Sequence, residues 1–102
     1  MKYSIITSGP NLMPAVWPAT AQTEVELLAE AQEMKLSQLH LHPMMIIDWE
    51  ARHVKRIATS LDPEGEAKIF DNAGELFGIA TTIENFEEIA RARDSEEQVN
   101  AN

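Results

Sequence analysis

Cysteine is absent from this chain of 102 residues, and its absence excludes several chemistries. Without a thiol there can be no disulfide, no thiolate metal ligand and no thiol nucleophile. The chain also has only 4 glycines, and its sequence contains neither a glycine-rich phosphate loop nor a glycine-flanked serine elbow. We therefore expect a cytoplasmic protein without a cofactor, for which binding is a better hypothesis than catalysis.

Basic residues are also scarce. Lysine and arginine together number 8 against 17 aspartates and glutamates, which gives a net charge of -9. Phosphate backbones and anionic membranes both attract basic surfaces, so this charge disfavours direct contact with nucleic acid or with a membrane. No apolar run in the sequence approaches the roughly 18 residues that a membrane-spanning helix needs.

The order of predicted elements indicates the fold class. Hydrophobic residues make up 44% of the chain, enough for one modest core. The sequence predicts a small single α+β domain over residues 1–93, with about four strands, including a C-terminal β-hairpin, and three helices packed mainly on one face. Residues 94–102 have little to bury, and we expect them to form a disordered acidic tail.

Capping boxes predict the first and third helices. In Thr23-x-x-Glu26 the side chains satisfy backbone N–H groups at a helix start, which predicts a helix over residues 23–34. The same pattern in Thr81-x-x-Glu84 predicts that the third helix begins at Thr81 or Thr82.

A second helix is predicted between these two, starting from Met44 to Asp48 and ending near Leu61. Apolar residues repeat there at four-three spacing, although the run Met-Met-Ile-Ile could equally continue a strand. This seam is a candidate surface for pairing with a second copy of the chain, so a homodimer is a further hypothesis. Its members are Ile47, Ala51, Val54, Ala58 and Leu61.

Short strands are predicted over residues 2–7 and 39–42 because both segments have strand-like composition or alternation. Proline second and glycine fourth in residues 62–65 predict a type I turn. Residues 67–70 and 75–80 flank a four-residue connection, which predicts a β-hairpin.

An uncharged, proline-rich segment over residues 10–21 is predicted to be an extended loop. Tryptophan and methionine are favoured at protein interfaces, so this loop is a candidate surface for a partner. The alternative is that Trp17 plugs the core. The candidate contact residues are Leu12, Met13, Val16 and Trp17.

The first predicted helix carries an acidic stripe of Glu26, Glu30 and Glu33. Such a stripe can steer association with a basic or nucleic-acid-binding protein, and its alternative role is solubility.

Two histidines, His40 and His42, alternate along one predicted strand, which places both imidazoles on the same side. This spacing occurs in metal sites, and His53 could supply a third ligand. The alternative is a pair of surface histidines. The five residues from Arg52 to Arg56 form the one basic cluster, which we interpret as a solvated helix face.

The leading hypothesis is therefore a small acidic protein-binding module that modulates or inhibits a partner protein. A metal-dependent enzyme or sensor built on the histidine pair is the alternative hypothesis.

Overall fold

The backbone forms one five-stranded antiparallel sheet with a helix on each face. A computed structural model of the chain describes residues 2–8, 13–38, 41–70, 74–76 and 78–100. The elements are β1 (Tyr3–Ser8), β2 (Pro14–Pro18), α1 (Glu24–Ser37), β3 (Pro43–Asp48), β4 (His53–Ala58), β5 (Lys68–Phe70), β6 (Glu75–Leu76), β7 (Ile79–Ala80) and α2 (Ile83–Asn100). The strand order is β2-β1-β3-β4-β5, and β6 and β7 pair separately.

The two central strands, β1 and β3, are buried on both faces of the sheet. Successive residues of a strand point to opposite faces, so Ile5 of β1 lies on one face and Ile6 on the other. On β3, Ile46 lies on the face of Ile5 and Met45 on the face of Ile6. Each face of the sheet therefore has an apolar cluster that must be covered.

The two helices cover opposite faces. Leu27 of α1 packs on the face that holds Ile5, and Phe86 of α2 packs on the face that holds Ile6. The α+β class of the small domain is thus confirmed. The expected three helices on one face and about four strands are wrong, since the described residues form two helices and a five-stranded sheet with an additional hairpin.

The predicted second helix is a β-hairpin. Residues 43–48 and 53–58 form β3 and β4, and Ile47 lies directly opposite Val54 across the pair. The apolar residues that repeat at four-three spacing in the sequence therefore do not share one helix face, because the segment forms two strands joined by a turn. Ile47 is buried whereas Ala51 and Leu61 are exposed, so the predicted helical seam for self-association does not exist.

Asp48 ends β3 and shapes the turn that follows. Its carboxylate accepts a hydrogen bond from the backbone N–H of Ala51 at 3.0 Å. Arg52 closes the turn in the left-handed region, with φ of 55°. Asp48 therefore satisfies in a turn the kind of backbone donor that an aspartate also satisfies at the start of a helix.

The proline-rich segment contains a strand rather than only a loop. The expected extended backbone is present, but residues 14–18 pair with β1 as the edge strand β2. Leu12 lies outside the described residues.

Both prolines of β2 lie on an edge strand of the sheet, where Pro18 is exposed and Pro14 is buried. Ala19 donates its backbone N–H to the carbonyl of Tyr3 at 3.1 Å, which makes that pair a hydrogen-bonded pair of the ladder. By alternation, Trp17 also directs its backbone groups towards β1, whereas Pro14 and Pro18 direct their nitrogens away from it. Proline has no N–H to donate, so this edge is a poor template for a further strand.

The remaining strand predictions are also revised. His42 belongs to no strand, residues 39 and 40 lie outside the described part, and Pro43 begins β3 instead of ending a strand. β5 pairs with β4, and β6 pairs with β7, so residues 67–70 and 75–80 do not form one hairpin. Residues 71–73 of the expected connection lie outside the described part.

Both of these helices start where the sequence predicted, although the residue that caps the second of them lies one position after the predicted capping box. Thr23 accepts the backbone N–H of Glu26 at 3.2 Å, which confirms the first cap. In the second helix Thr82, not Thr81, accepts the backbone N–H of Asn85 at 3.3 Å. α2 runs to Asn100, past the point where we expected a tail, and the division at residue 93 stays a prediction.

Replacing both edge prolines, as Pro14→Val with Pro18→Thr, is expected to give concentration-dependent self-association. The change supplies an N–H group at two positions where the backbone nitrogen points away from β1 and proline has no hydrogen to donate. Light scattering over a concentration series at physiological salt measures the mass. Pro63→Thr, in a turn, is the control and should leave the mass unchanged. An unchanged mass of the double variant at every concentration would refute the blocking role.

Candidate functional site

The two tryptophans are tied to β1 by hydrogen bonds. Trp17 donates its indole N–H to the Thr7 hydroxyl at 2.7 Å, and Trp49 donates to the Ser4 hydroxyl at 2.8 Å. Thr7 and Ser4 are both buried. Trp17 is thus half-buried and fixed against the sheet.

The predicted contact residues of the proline-rich segment do not share one surface. Val16 is buried in the cluster under α2, whereas Met13 is 51% exposed. Leu12 lies outside the described residues. Of the described candidate contact residues, Met13 is the one that is largely exposed to solvent. Contact of this segment with a partner stays a prediction.

The carboxylates of the acidic stripe on α1 differ in whether they accept hydrogen bonds from the chain. Glu30 accepts hydrogen bonds from the backbone N–H groups of Thr20 and Ala21, both at 3.1 Å. Glu26 accepts the backbone N–H of Gln22 at 3.1 Å. The carboxylate of Glu33 is exposed and has no hydrogen bond or ion pair among the described residues.

An open apolar groove of about 500 Å³ lies beside Glu33. One wall is a second stripe of α1, formed by Val25, Ala29 and Leu36, and the other wall is the loop from Pro63 to Ala67. Val25 is 78% exposed. The sequence predicted a different buried face for this helix, formed by Leu27, Leu28, Ala31 and Met34, so the stripe was missed. The signal for it was the presence of apolar residues on two sides of one helix.

Gln32 holds the two walls of this groove together. Its buried amide donates to the carbonyl of Ser60 at 2.8 Å and accepts the backbone N–H of Ser60 at 2.8 Å. The predicted turn over residues 62–65 is confirmed by the bond from the Gly65 N–H to the Asp62 carbonyl at 2.8 Å. A Cβ on Gly65 would overlap the side chain of Ser60, so the turn has no room for a side chain unless Ser60 moves.

The basic cluster lies on β4 and its preceding turn, not on a helix, and it connects the sheet to both helices. Arg52 pairs with Glu87 of α2 at 2.7 Å, and Lys55 pairs with Glu24 of α1 at 3.1 Å. Hydrogen bonding to Glu87 and its negative charge raise the pKa of Arg52. Exposed ion pairs add little to the free energy of folding. These contacts therefore affect the orientation of the helices more than the stability of the fold.

The candidate metal ligands are not brought together. His53 begins β4 opposite Asp48 at the far end of β3, whereas His42 directly precedes β3. Six residues of strand separate their positions by about 20 Å, too far for one metal ion. His40 lies outside the described residues. Among the residues described, no group of three or more histidine, aspartate or glutamate side chains could hold a metal.

His42 contacts a lysine. The Lys35 ammonium lies 2.9 Å from Nδ1 of His42, so it donates to a neutral ring whose own proton is on Nε2. Partial burial and the positive charge of Lys35 both lower the pKa of His42. At neutral pH the ring is therefore uncharged.

No protein-family model, curated protein or solved structure matches this chain. Neither described helix combines the length and the apolarity needed to cross a lipid bilayer.

Replacing the buried amide, as Gln32→Met, is expected to lower the free energy of unfolding by about 2 kcal/mol, because both backbone groups of Ser60 lose their partner. Urea denaturation measures this loss. Gln38→Met makes the same substitution at an exposed position and should cost less than about 0.5 kcal/mol. Equal costs for the two variants would show that Gln32 does not clamp the loop.

The lowered pKa of His42 predicts a stability that falls on acidification. Below the ordinary value of 6.5 the unfolded chain binds a proton that the folded chain does not, so the folded state loses stability until the folded pKa is passed. Thermal melting from neutral to mildly acidic pH should show this loss relative to His42→Gln. Parallel stability curves for the two proteins would contradict the assignment.

Proposed function

We propose that this chain is a small protein-binding module, and that the α1 groove receives an apolar segment of a basic partner protein. Binding there would modulate or inhibit the partner. The observation that carries the proposal is an open apolar groove bordered by carboxylates. Partner association and cytoplasmic location are both part of the proposal.

The floor of the groove supports an apolar contact. Ala29 and Leu28 line it together with the strongly exposed Val25. Burial of apolar surface is the main favourable term in association, and small residues at the centre allow a partner side chain to approach the helix closely. A solvent-exposed valine beside a ready-made groove contributes no packing energy to the folded chain itself.

The rim of the groove supports a basic partner. Glu33 and Glu66 line it, and none of the described lining residues is a lysine or an arginine. The carboxylate of Glu33 has no internal role in the described residues, unlike those of Glu26 and Glu30. A net charge of -9 adds a long-range attraction for cations. The partner segment therefore combines apolar side chains with lysine or arginine at its edges.

Comparison of three forms of the chain tests the proposal. The wild type, Ala29→Arg and Ala92→Arg are used to capture proteins from the native host. The two variants make the same substitution on exposed helix surfaces, but only Ala29→Arg fills and charges the groove. A true partner should be captured at least about tenfold less by Ala29→Arg, and equally by Ala92→Arg and the wild type.

Charge gives a second measurement on the same partner. Binding should weaken as salt is raised, and Glu33→Gln should reduce affinity about twofold to fivefold, as expected for a rim charge. Identical capture by wild type and Ala29→Arg would overturn the proposal. Salt-independent binding of a partner that Ala29→Arg does lose would remove its electrostatic part and leave the apolar contact.

A further inference from the structure

The loop wall of the α1 groove has few backbone donors for a bound segment. Pro63 has no N–H. The N–H of Glu64 donates to the Asp62 carboxylate at 3.0 Å, and the N–H of Gly65 donates to the Asp62 carbonyl at 2.8 Å. These three consecutive positions therefore cannot form a ladder of hydrogen bonds with an extended peptide.

The other wall of the groove is α1, whose backbone groups bond along the helix itself. A segment that enters an apolar groove must still pair its own backbone N–H and carbonyl groups. A helix pairs them internally, whereas an extended segment needs partners that these walls do not provide. Helical backbone is therefore the conformation that best fits a segment bound here.

The length and shape of the groove also suit a helix. Its lining residues on α1 run from Val25 to Leu36, a rise of about 16 Å or three turns. Ala29 lies between them and is exposed. A small residue at this point lets a second helix axis approach to about 8–10 Å, so that side chains of the two helices interlock.

The charges on the two walls indicate where the cations of the bound helix lie. Glu33 projects from the α1 wall and Glu66 from the loop wall, and both are exposed. Neither carboxylate has a hydrogen bond or ion pair among the residues that the structure describes. A helix lying between the walls would place one flank beside each carboxylate, as the flanking charges of a coiled coil do.

A second copy of this chain fits the groove poorly. The helix that would have to pair with itself, α1, contains four glutamates and one lysine. The whole chain carries a net charge of -9, so two copies repel each other.

We propose that the α1 groove binds an amphipathic helix of a partner protein, about three turns long, with apolar side chains at i, i+4 and i+7 and lysine or arginine on both flanks. This inference rests on the proposed function. It adds the conformation and the side-chain pattern of the bound segment.

The probe is a capped synthetic peptide of about 16 residues, with leucines at this spacing and lysines and alanines elsewhere. One control has the same composition with the leucines distributed around the helix, and a second has a central proline. Amide chemical shifts of the isotope-labelled protein are followed during each titration. The probe should shift residues 25–36 and 63–67, gain helical circular dichroism on binding, and bind about tenfold more tightly than either control.

Val25→Ser tests the apolar contact at one end of the groove. It should weaken binding of the probe about fivefold, because the valine is buried only in the complex. Met13→Ser, which also removes an exposed apolar side chain but lies outside the groove, should leave the affinity unchanged.

Reversal of the rim charges tests the flanks. Glu33→Lys with Glu66→Lys should weaken binding of the probe about tenfold and strengthen binding of a peptide in which glutamate replaces every lysine. Glu50→Lys with Glu88→Lys makes the same change in net charge at exposed sites outside the groove. It should alter either affinity less than about twofold.

Three results would overturn this inference. Equal binding of the proline-containing peptide at the groove would show an extended occupant, and the proposed function would remain. Absence of shifts at residues 25–36 and 63–67 with up to about 1 mM probe would exclude a helix of this kind, while capture from the host would still test the proposed function separately. A wild-type dimer that Ala29→Arg dissociates would identify a second copy as the occupant.

Discussion

Burial of β1 and β3 on both faces is the constraint on which the rest of the structure depends. A strand that carries Ile5 on one side and Ile6 on the other cannot remain stable with either side in water. The sheet therefore needs a cover on each face, and the chain supplies one helix for each. Leu27 and Phe86, both fully buried, belong to the two clusters that hold Ile5 and Ile6.

The scarce basic residues are used largely within the fold. Arg52 and Lys55 lie on and beside one strand but pair with carboxylates of different helices. Among the acidic residues, Glu30 is likewise used internally, as an acceptor for the loop before α1. Net charge alone therefore overstates how much of the acidic surface is available. The carboxylates relevant to a partner are those that, like that of Glu33, have no hydrogen bond or ion pair among the described residues.

The α1 groove lies beside the packed core rather than within it. It forms because the loop after β4 is tied to the helix by Gln32 and so stands beside an apolar stripe that it does not cover. The groove is an opening between elements rather than a feature of a single element.

The sequence by itself determined the local features. The order of predicted elements indicated the α+β class. The start of α1 at Thr23, the turn that ends at Gly65 and the extended backbone of the proline-rich segment depend on contacts within a few residues. Short-range capping and turn chemistry operate before any tertiary contact exists, so they can be inferred from spacing alone.

Only the tertiary structure decided which segments pair and what they expose. Residues 44–61 match a helical repeat, yet they form two strands because β1 offers a pairing edge and two helices cover both faces. Pairing of β2 with β1 placed Trp17 against Thr7, and pairing of β4 with β3 placed His53 opposite Asp48. Gln32 acquired its role through Ser60, 28 residues away. Strand partners and clefts are set by burial between distant segments, which the order of residues does not display.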